Sequence, residues 1–230
     1  MLMKKENNKR LLVLNKNIIN CNLCKRLKDF RTKVATEKRK MYANEIYWGK
    51  PITGFGDTKG NLLFIGLAPA AHGGTRTGRV FTGDKSSDFL YKCLFKAKIS
   101  NQSNSDHIND GLNLKNAYIT TSLKCVPPED KPLKMELDNC FKFFNQELIL
   151  LKNIKVIVAL GKIAFDSCKY FYQKQFDLDK EIKFGHGKIF KLENGTLLVG
   201  CYHPSPRNVN TGRINEKKMV SLFNKIKKIN

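Results

Sequence analysis

The stretch Leu62-Leu63-Phe64-Ile65, running into Gly66-Leu67-Ala68-Pro69-Ala70-Ala71-His72-Gly73, decides the fold. Four apolar residues without a helical period, closed by Gly and Pro, read as a buried strand that ends in a loop. The loop continues through Gly74 and Gly78 to Phe81-Thr82-Gly83-Asp84, and its glycines let the backbone wrap closely round something flat or anionic. Beyond it, Phe89, Leu90, Cys93 and Leu94 fall at helical spacing between Ser86 and Ala97, with Asp84 and Asp88 near the start. Ligands of open α/β sheets bind outside the carboxyl ends of the strands, so this β-loop-α unit is also the candidate active site.

The pattern recurs downstream. Ala117-Tyr118-Ile119-Thr120-Thr121 is a second strand, and Val156-Ile157-Val158-Ala159-Leu160-Gly161 a third, with a helix after it. Met135 to Leu151 carries Leu137, Cys140, Phe144, Leu148 and Leu151 at helical spacing, and Lys188–Leu192 with Thr196–Gly200 reads as a hairpin across Asn194-Gly195. A last helix, about Asn215 to Ile229, sets Met219, Leu222, Phe223 and Ile226 on one face. Strands alternating with helices predict a mostly parallel sheet covered on both sides. Residues 1–20 read as an N-terminal arm and helix, and residues 21–230 as one α/β domain.

The chain has 42 Lys and Arg against 20 Asp and Glu, a formal charge of +22, which points to a polyanionic partner or an anionic surface. No apolar run approaches the ~20 residues of a membrane-spanning helix. Asn15, Lys16 and Asn17 cut short the one run that imitates a signal peptide, so a cytoplasmic, nucleoid-associated protein without a membrane role is expected. Between residues 25 and 50 a basic run is interleaved with Tyr42, Tyr47 and Trp48, which suits either a nucleic-acid face or a solvated one.

Seven cysteines, an odd number in a chain read as intracellular, argue against a disulfide framework. Cys21-x2-Cys24 with Cys125 and Cys140 fits an iron–sulfur cluster or a four-cysteine zinc site, while Cys93, Cys168 and Cys201 read as small buried hydrophobes. His203 stands out because Pro204 and Pro206 stiffen its loop after an apolar strand; His107 and His186 read as structural. Asp84 has an ordinary explanation as a helix cap, and Phe81 as core.

Three groups of residues together resemble a known family: Gly-Leu-Ala-Pro-Ala-Ala-His-Gly at 66–73 with Arg-Thr-Gly-Arg-Val-Phe-Thr-Gly-Asp at 76–84, the four cysteines, and Tyr-His-Pro-Ser-Pro-Arg-Asn-Val-Asn-Thr-Gly-Arg at 202–213. They look like the type B, or family 5, branch of the uracil-DNA glycosylase superfamily. The resemblance implies a monomeric three-layer α/β/α fold with a small central sheet, one [4Fe-4S] cluster on Cys21, Cys24, Cys125 and Cys140, and excision of uracil from DNA. It further implies that Asp84 and His203 are catalytic and that Leu67, Ala68, His72, Phe81, Thr121 and Asn208 surround the base. Ser205, Pro206 and Arg207 would press into the minor groove, with Arg207 where other branches carry an apolar wedge. Leu67 stands where most of the superfamily has a polar residue that positions water, which leaves Asp84 as the candidate for that task.

Thr121 departs from the superfamily pattern, which commonly has asparagine on this strand. A hydroxyl discriminates a base edge less than a carboxamide does, so strict uracil specificity is not expected, and the resemblance to the type B branch implies hypoxanthine and xanthine as further substrates. No lysine is evidently placed as a Schiff-base nucleophile, so a monofunctional enzyme is expected. The alternative from another class is a non-catalytic nucleic-acid-binding protein with a four-cysteine zinc site. Electron transfer is disfavoured because the cysteines are dispersed around a full α/β domain.

Overall fold

The computed structural model describes residues 2–176 and 181–229. The chain opens with α1 (Leu2–Ile19), α2 (Lys25–Glu37), a 3-10 turn (Lys40–Tyr42), β1 (Phe55–Gly56) and β2 (Leu62–Gly66). Then come α3 (Gly74–Thr77), α4 (Lys85–Lys96), β3 (Ala117–Thr121), α5 (Lys134–Leu150), β4 (Val156–Leu160) and α6 (Lys162–Phe176). The hairpin β5 (Ile189–Lys191) and β6 (Leu197–Cys201), then α7 (Pro206–Asn210) and α8 (Glu216–Lys228), complete it.

The sheet order is β1-β3-β2-β4-β6-β5. The inner four strands are parallel, as helical crossovers require, and the two edge strands run antiparallel. Side chains alternate across it. Leu62, Phe64, Val156 and Val158 meet Leu90, Leu94, Met219 and Phe223 of α4 and α8, while Leu63, Ile65, Ile157 and Ala159 meet Phe144 of α5 and Phe165 of α6. Burial of both faces explains why these strands are apolar throughout. Each fully buried Leu, Ile or Phe contributes about 1.5–3 kcal/mol over its exposed state.

The first twenty residues differ from the sequence expectation of an arm followed by a helix: α1 runs unbroken from Leu2. Its Leu11, Leu14 and Ile18 form a stripe that packs with Leu27, Leu123, Cys140 and Phe143. Once that stripe is docked, the preceding Lys and Glu residues extend the helix at low cost, being good helix formers. Among the described residues no helix is long and apolar enough to cross a membrane.

Parallel register gathers the site. Gly66 pairs with Thr121 and Leu160 with Cys201, so the loops after β2, β3, β4 and β6 emerge along one edge of the sheet. On β3 the alternation also divides two tasks. Thr120 faces a buried ion pair, Lys124 Nζ to Glu147 Oε2 at 2.6 Å, and accepts from Lys124 at 2.7 Å while donating to Glu147 at 2.8 Å. Thr121, on the opposite face, is left for the site.

Candidate active site

Phe81 has a φ of 47°, a left-handed conformation that a bulky residue adopts only under constraint from its surroundings. The result is a ring laid on the backbone of Gly66: a Cβ there would stand 2.7 Å from two ring carbons. Glycine is thus required at 66 by close approach. The other side of the gathering is His203, whose ring centroid lies 6.1 Å from that of Phe81 at 35°. Thr121 Cγ2 lies 3.6 Å from the same notional Cβ, and Thr121 Oγ1 is buried without a hydrogen-bond partner among the described residues. An unpaired buried hydroxyl costs about 1–3 kcal/mol. Thr121 shares this state with Thr75 and Tyr91 among the described residues, and of the three it is the one beside Phe81 and Gly66.

His203 leaves the end of β6, and its carbonyl accepts from Asn208 Nδ2 at 2.9 Å. Burial pushes the imidazole down to about 4, so it is neutral at pH 7, with one N–H to donate. Asn208 therefore holds the histidine loop by its backbone. The 204–208 stretch, read as a loop, contains the single turn α7, capped by Ser205 Oγ accepting from Asn208 N at 3.4 Å. Pro206 and Arg207 project into solvent from that turn.

Asp84 is the N-cap of α4. Its Oδ1 accepts from Ser86 N at 2.8 Å and Ser87 N at 3.0 Å, while Ser87 Oγ accepts from Asp84 N at 3.0 Å. The capping role is real, and it occupies one oxygen. Oδ2 lies over Gly73, where a Cβ would come within 2.1 Å of it, and has no hydrogen-bond partner among the described residues. Burial raises the carboxyl above its ordinary value, although the Ser87 and Ser86 N–H groups pull the other way. Asp84, Gly73 and His72 line an open groove of about 800 Å³, walled opposite by Arg39, Met41, Tyr42 and Glu45. His72 is held by Tyr47, whose hydroxyl lies 2.9 Å from Nδ1, and burial with Arg39 and Arg76 lowers its pKa.

Two arginines inside the 76–84 motif fix this loop. Arg76 donates from Nε to His72 O at 2.8 Å and from Nη2 to Gly83 O at 2.9 Å, and pairs with Glu45 at 2.5 Å. Arg79 makes a bidentate pair with Asp110, at 2.8 and 2.6 Å, and reaches Thr82 Oγ1 at 2.9 Å. Sequence reasoning gave neither a role; a basic residue between glycines, flanking an apolar residue in a loop, was the available signal. Leu67 is anchored through its carbonyl, which accepts from Leu123 N at 2.8 Å. The Ala68 side chain packs against the cluster that contains Cys140, with Cys21, Cys24 and Cys125 beside it. His186 accepts from Tyr202 N at 3.2 Å and stacks on Tyr202, a structural role.

Cys21, Cys24, Cys125 and Cys140 line one pocket, together with Leu27, Arg31, Leu123 and Phe143. Lys124 N donates to Cys140 Sγ at 3.3 Å and Asn139 Nδ2 to Cys24 Sγ at 3.6 Å. As free thiols Cys125 and Cys140 are pushed up to about 12 and about 11, chiefly by burial. Arg31, itself buried, closes the pocket while donating to Gly49 O at 2.6 Å and Asn22 Oδ1 at 2.8 Å. Cys93, Cys168 and Cys201 are buried elsewhere in the core, as expected. Among the described residues no three His, Cys, Asp or Glu side chains are grouped so as to hold a single metal ion.

Comparison with known proteins agrees with this geometry. Residues 53–227 match the family model described as the uracil DNA glycosylase superfamily. The chain is 40% identical over 217 residues to a type-5 uracil-DNA glycosylase of Mycobacterium bovis, covering 94% of this chain and 80% of that protein. It is 39% identical over 210 residues to the type-5 uracil-DNA glycosylase of Thermus thermophilus, covering 91% and 93%, and 36% identical over 206 residues to that of Pyrobaculum aerophilum, covering 90% and 87%. With Phe81, Thr121 and His203 gathered at the carboxyl edge of a parallel sheet and relatives matching over most of their length, the chain belongs to the uracil DNA glycosylase superfamily.

Proposed function

We propose that this protein is a monofunctional DNA-repair glycosylase that flips uracil out of DNA and hydrolyses its N-glycosidic bond, leaving an abasic site. The observation that carries the reading is a cluster of side chains: Phe81 laid on Gly66, His203 beside it, and the buried Thr121 hydroxyl, without a partner among the described residues, next to them. A flipped base stacks on Phe81. The neutral imidazole of His203 donates to the oxygen on which charge develops as the pyrimidine leaves, and needs no added proton to do so. Asp84 Oδ2, the oxygen not spent on the cap, orients water and balances the cationic sugar. Arg207 enters the minor groove from the exposed turn, while Asn208 serves by holding His203.

Thr121 widens the substrate range. A hydroxyl rotates to donate or accept, so it satisfies the O4 edge of uracil and the O6 edge of hypoxanthine or xanthine alike. The four cysteines are the ligands of one [4Fe-4S] cluster. Four thiols set around an apolar pocket, two of them reluctant to ionise alone and two receiving N–H groups, suit a cationic iron–sulfur core wider than one ion. The cluster cross-links the N-terminal segment to the sheet and takes no part in the chemistry. Incubation with oligonucleotides containing uracil, hypoxanthine or xanthine, followed by alkali, tests the reading. Strand breaks at uracil, with weaker breaks at the purines, are expected; intact DNA in all three overturns it.

A further inference from the structure

We propose that the loop from Lys38 to Ile46 is a second DNA-contacting surface, gripping the duplex beside the flipped nucleotide with Met41 and Ile46 against bases or sugars and Arg39 and Lys40 on phosphates. The inference rests on the glycosylase reading and adds to it a surface that neither the motifs nor the relatives assign. Within the basic segment 25–50, the cations of α2 are largely committed. Lys25 pairs with Asp29, Lys33 with Glu37, Arg26 with Glu136, and Arg31 is buried at the cysteine pocket. The aromatic residues are committed as well. Tyr42 lies under the Arg76 guanidinium at 3.9 Å, Tyr47 holds His72, and Trp48 packs on Gly78 while its indole N–H donates to Pro51 O at 3.1 Å.

These ties leave a different set of side chains outside. Met41 is 70% and Ile46 94% exposed, and the side chains of Arg39 and Lys40 have no hydrogen bond or ion pair among the described residues. A lone exposed isoleucine is ordinary. Two large apolar residues within one short loop are less so when the loop is braced from beneath and walls the groove that holds Asp84. The brace joins that loop directly to the catalytic one: Arg76 grips Glu45 and Tyr42 with the same guanidinium that holds His72 O and Gly83 O. Charge selects the occupant. Arg39, Lys40 and Lys50 are exposed, Lys38 donates to Ala43 O at 3.0 Å within the loop, and the single acid of this stretch, Glu45, is neutralised by Arg76. Cations on phosphates and apolar side chains against unstacked bases are how proteins hold bent duplexes.

Binding is measured to a duplex carrying a tetrahydrofuran abasic analogue, which is not cleaved, and to an undamaged duplex. Met41→Ser with Ile46→Ser is expected to weaken binding to the abasic duplex about tenfold at fixed salt, with the salt slope unchanged. Arg39→Gln with Lys40→Gln is expected to flatten the log–log salt slope by about 1.8 on both duplexes, about 0.9 for each phosphate lost. Because these side chains are exposed, melting should be as in the parent. Parental affinity in the apolar pair, or a parental slope in the basic pair, overturns the proposal. A photoreactive benzoylphenylalanine in place of Ile46 gives a readout independent of stability: cross-linking to the abasic duplex is expected, and its absence overturns the proposal. Failure of the parent protein to bind or excise at all would instead sink the glycosylase reading.

Discussion

Asp84→Asn separates the helix cap that Asp84 forms from the catalytic role proposed for it. Asparagine retains Oδ1 as acceptor for Ser86 N and Ser87 N, so the capping box survives. Loss of negative charge at a helix start costs about 0.3–1 kcal/mol, and removing a carboxylate that burial makes hard to ionise returns part of it. The melting temperature should therefore move by no more than a few degrees. Catalysis should respond on another scale, because an amide neither polarises water nor offsets a cationic sugar; a loss of about 10²–10⁴-fold is expected. Single-turnover excision of uracil with enzyme in excess reads the chemical step, and binding to the abasic duplex checks that affinity is kept. The pH profile adds a sign. The ionised form works, and its pKa is raised, so the parent rate should fall as pH drops through a value above that of an ordinary aspartate, while His203 stays neutral down to about 4. A near-parental rate in Asp84→Asn would refute the assignment and leave the cap as the residue's only function.

Four further outcomes follow from the geometry. Gly66→Ala should abolish excision with little change in fold content, since its methyl would strike the Phe81 ring; circular dichroism and the alkali assay check this, and an active variant would deny the stacking slot. Thr121→Ala should stabilise the protein slightly by removing a partnerless buried hydroxyl while lowering excision of every base, read by melting and single-turnover rates. Lys124→Met should lose about 3–5 kcal/mol in denaturant unfolding because it strands Glu147, which is fully buried, without its cation. Cys125→Ser should bleach the absorbance near ~400 nm that an iron–sulfur centre gives, and a brown variant with full iron would remove Cys125 from the ligand set.

Much of the fold was legible because strands buried on both faces leave continuous apolar runs: 62–65, 117–121 and 156–160 all proved to be strands, and the glycines at their ends marked the site. Phe81, Thr121 and His203 do gather there. The buried cations were not legible. Arg31, Arg76, Arg79 and Lys124 read as part of a charge excess of +22, yet all four are buried structural members. Their partners are far away in sequence, Arg79 from Asp110 by 31 positions and Lys124 from Glu147 by 23, and no local period reports such a pairing. Ala68 shows the same limit on a smaller scale. A motif places a residue beside the slot, but only the backbone decides which way its methyl points, and here it points to the cysteines.

Residues 120 to 125 behave as a single gauge block. Within six positions, Thr120 on one face of β3 holds the Lys124–Glu147 pair, the other face carries Thr121 with its buried, unpaired hydroxyl, Lys124 N reaches Cys140 Sγ, and Cys125 lines the cysteine pocket. β3 ends at Thr121, so a residue inserted or deleted within it would exchange the two faces, and one inserted or deleted between Thr121 and Cys125 would pull the cysteine out of step with the strand. Length in this segment is consequently more tightly constrained than identity. A threonine can be traded for another polar side chain, but the count between Thr121 and Cys125 cannot change without displacing one against the other.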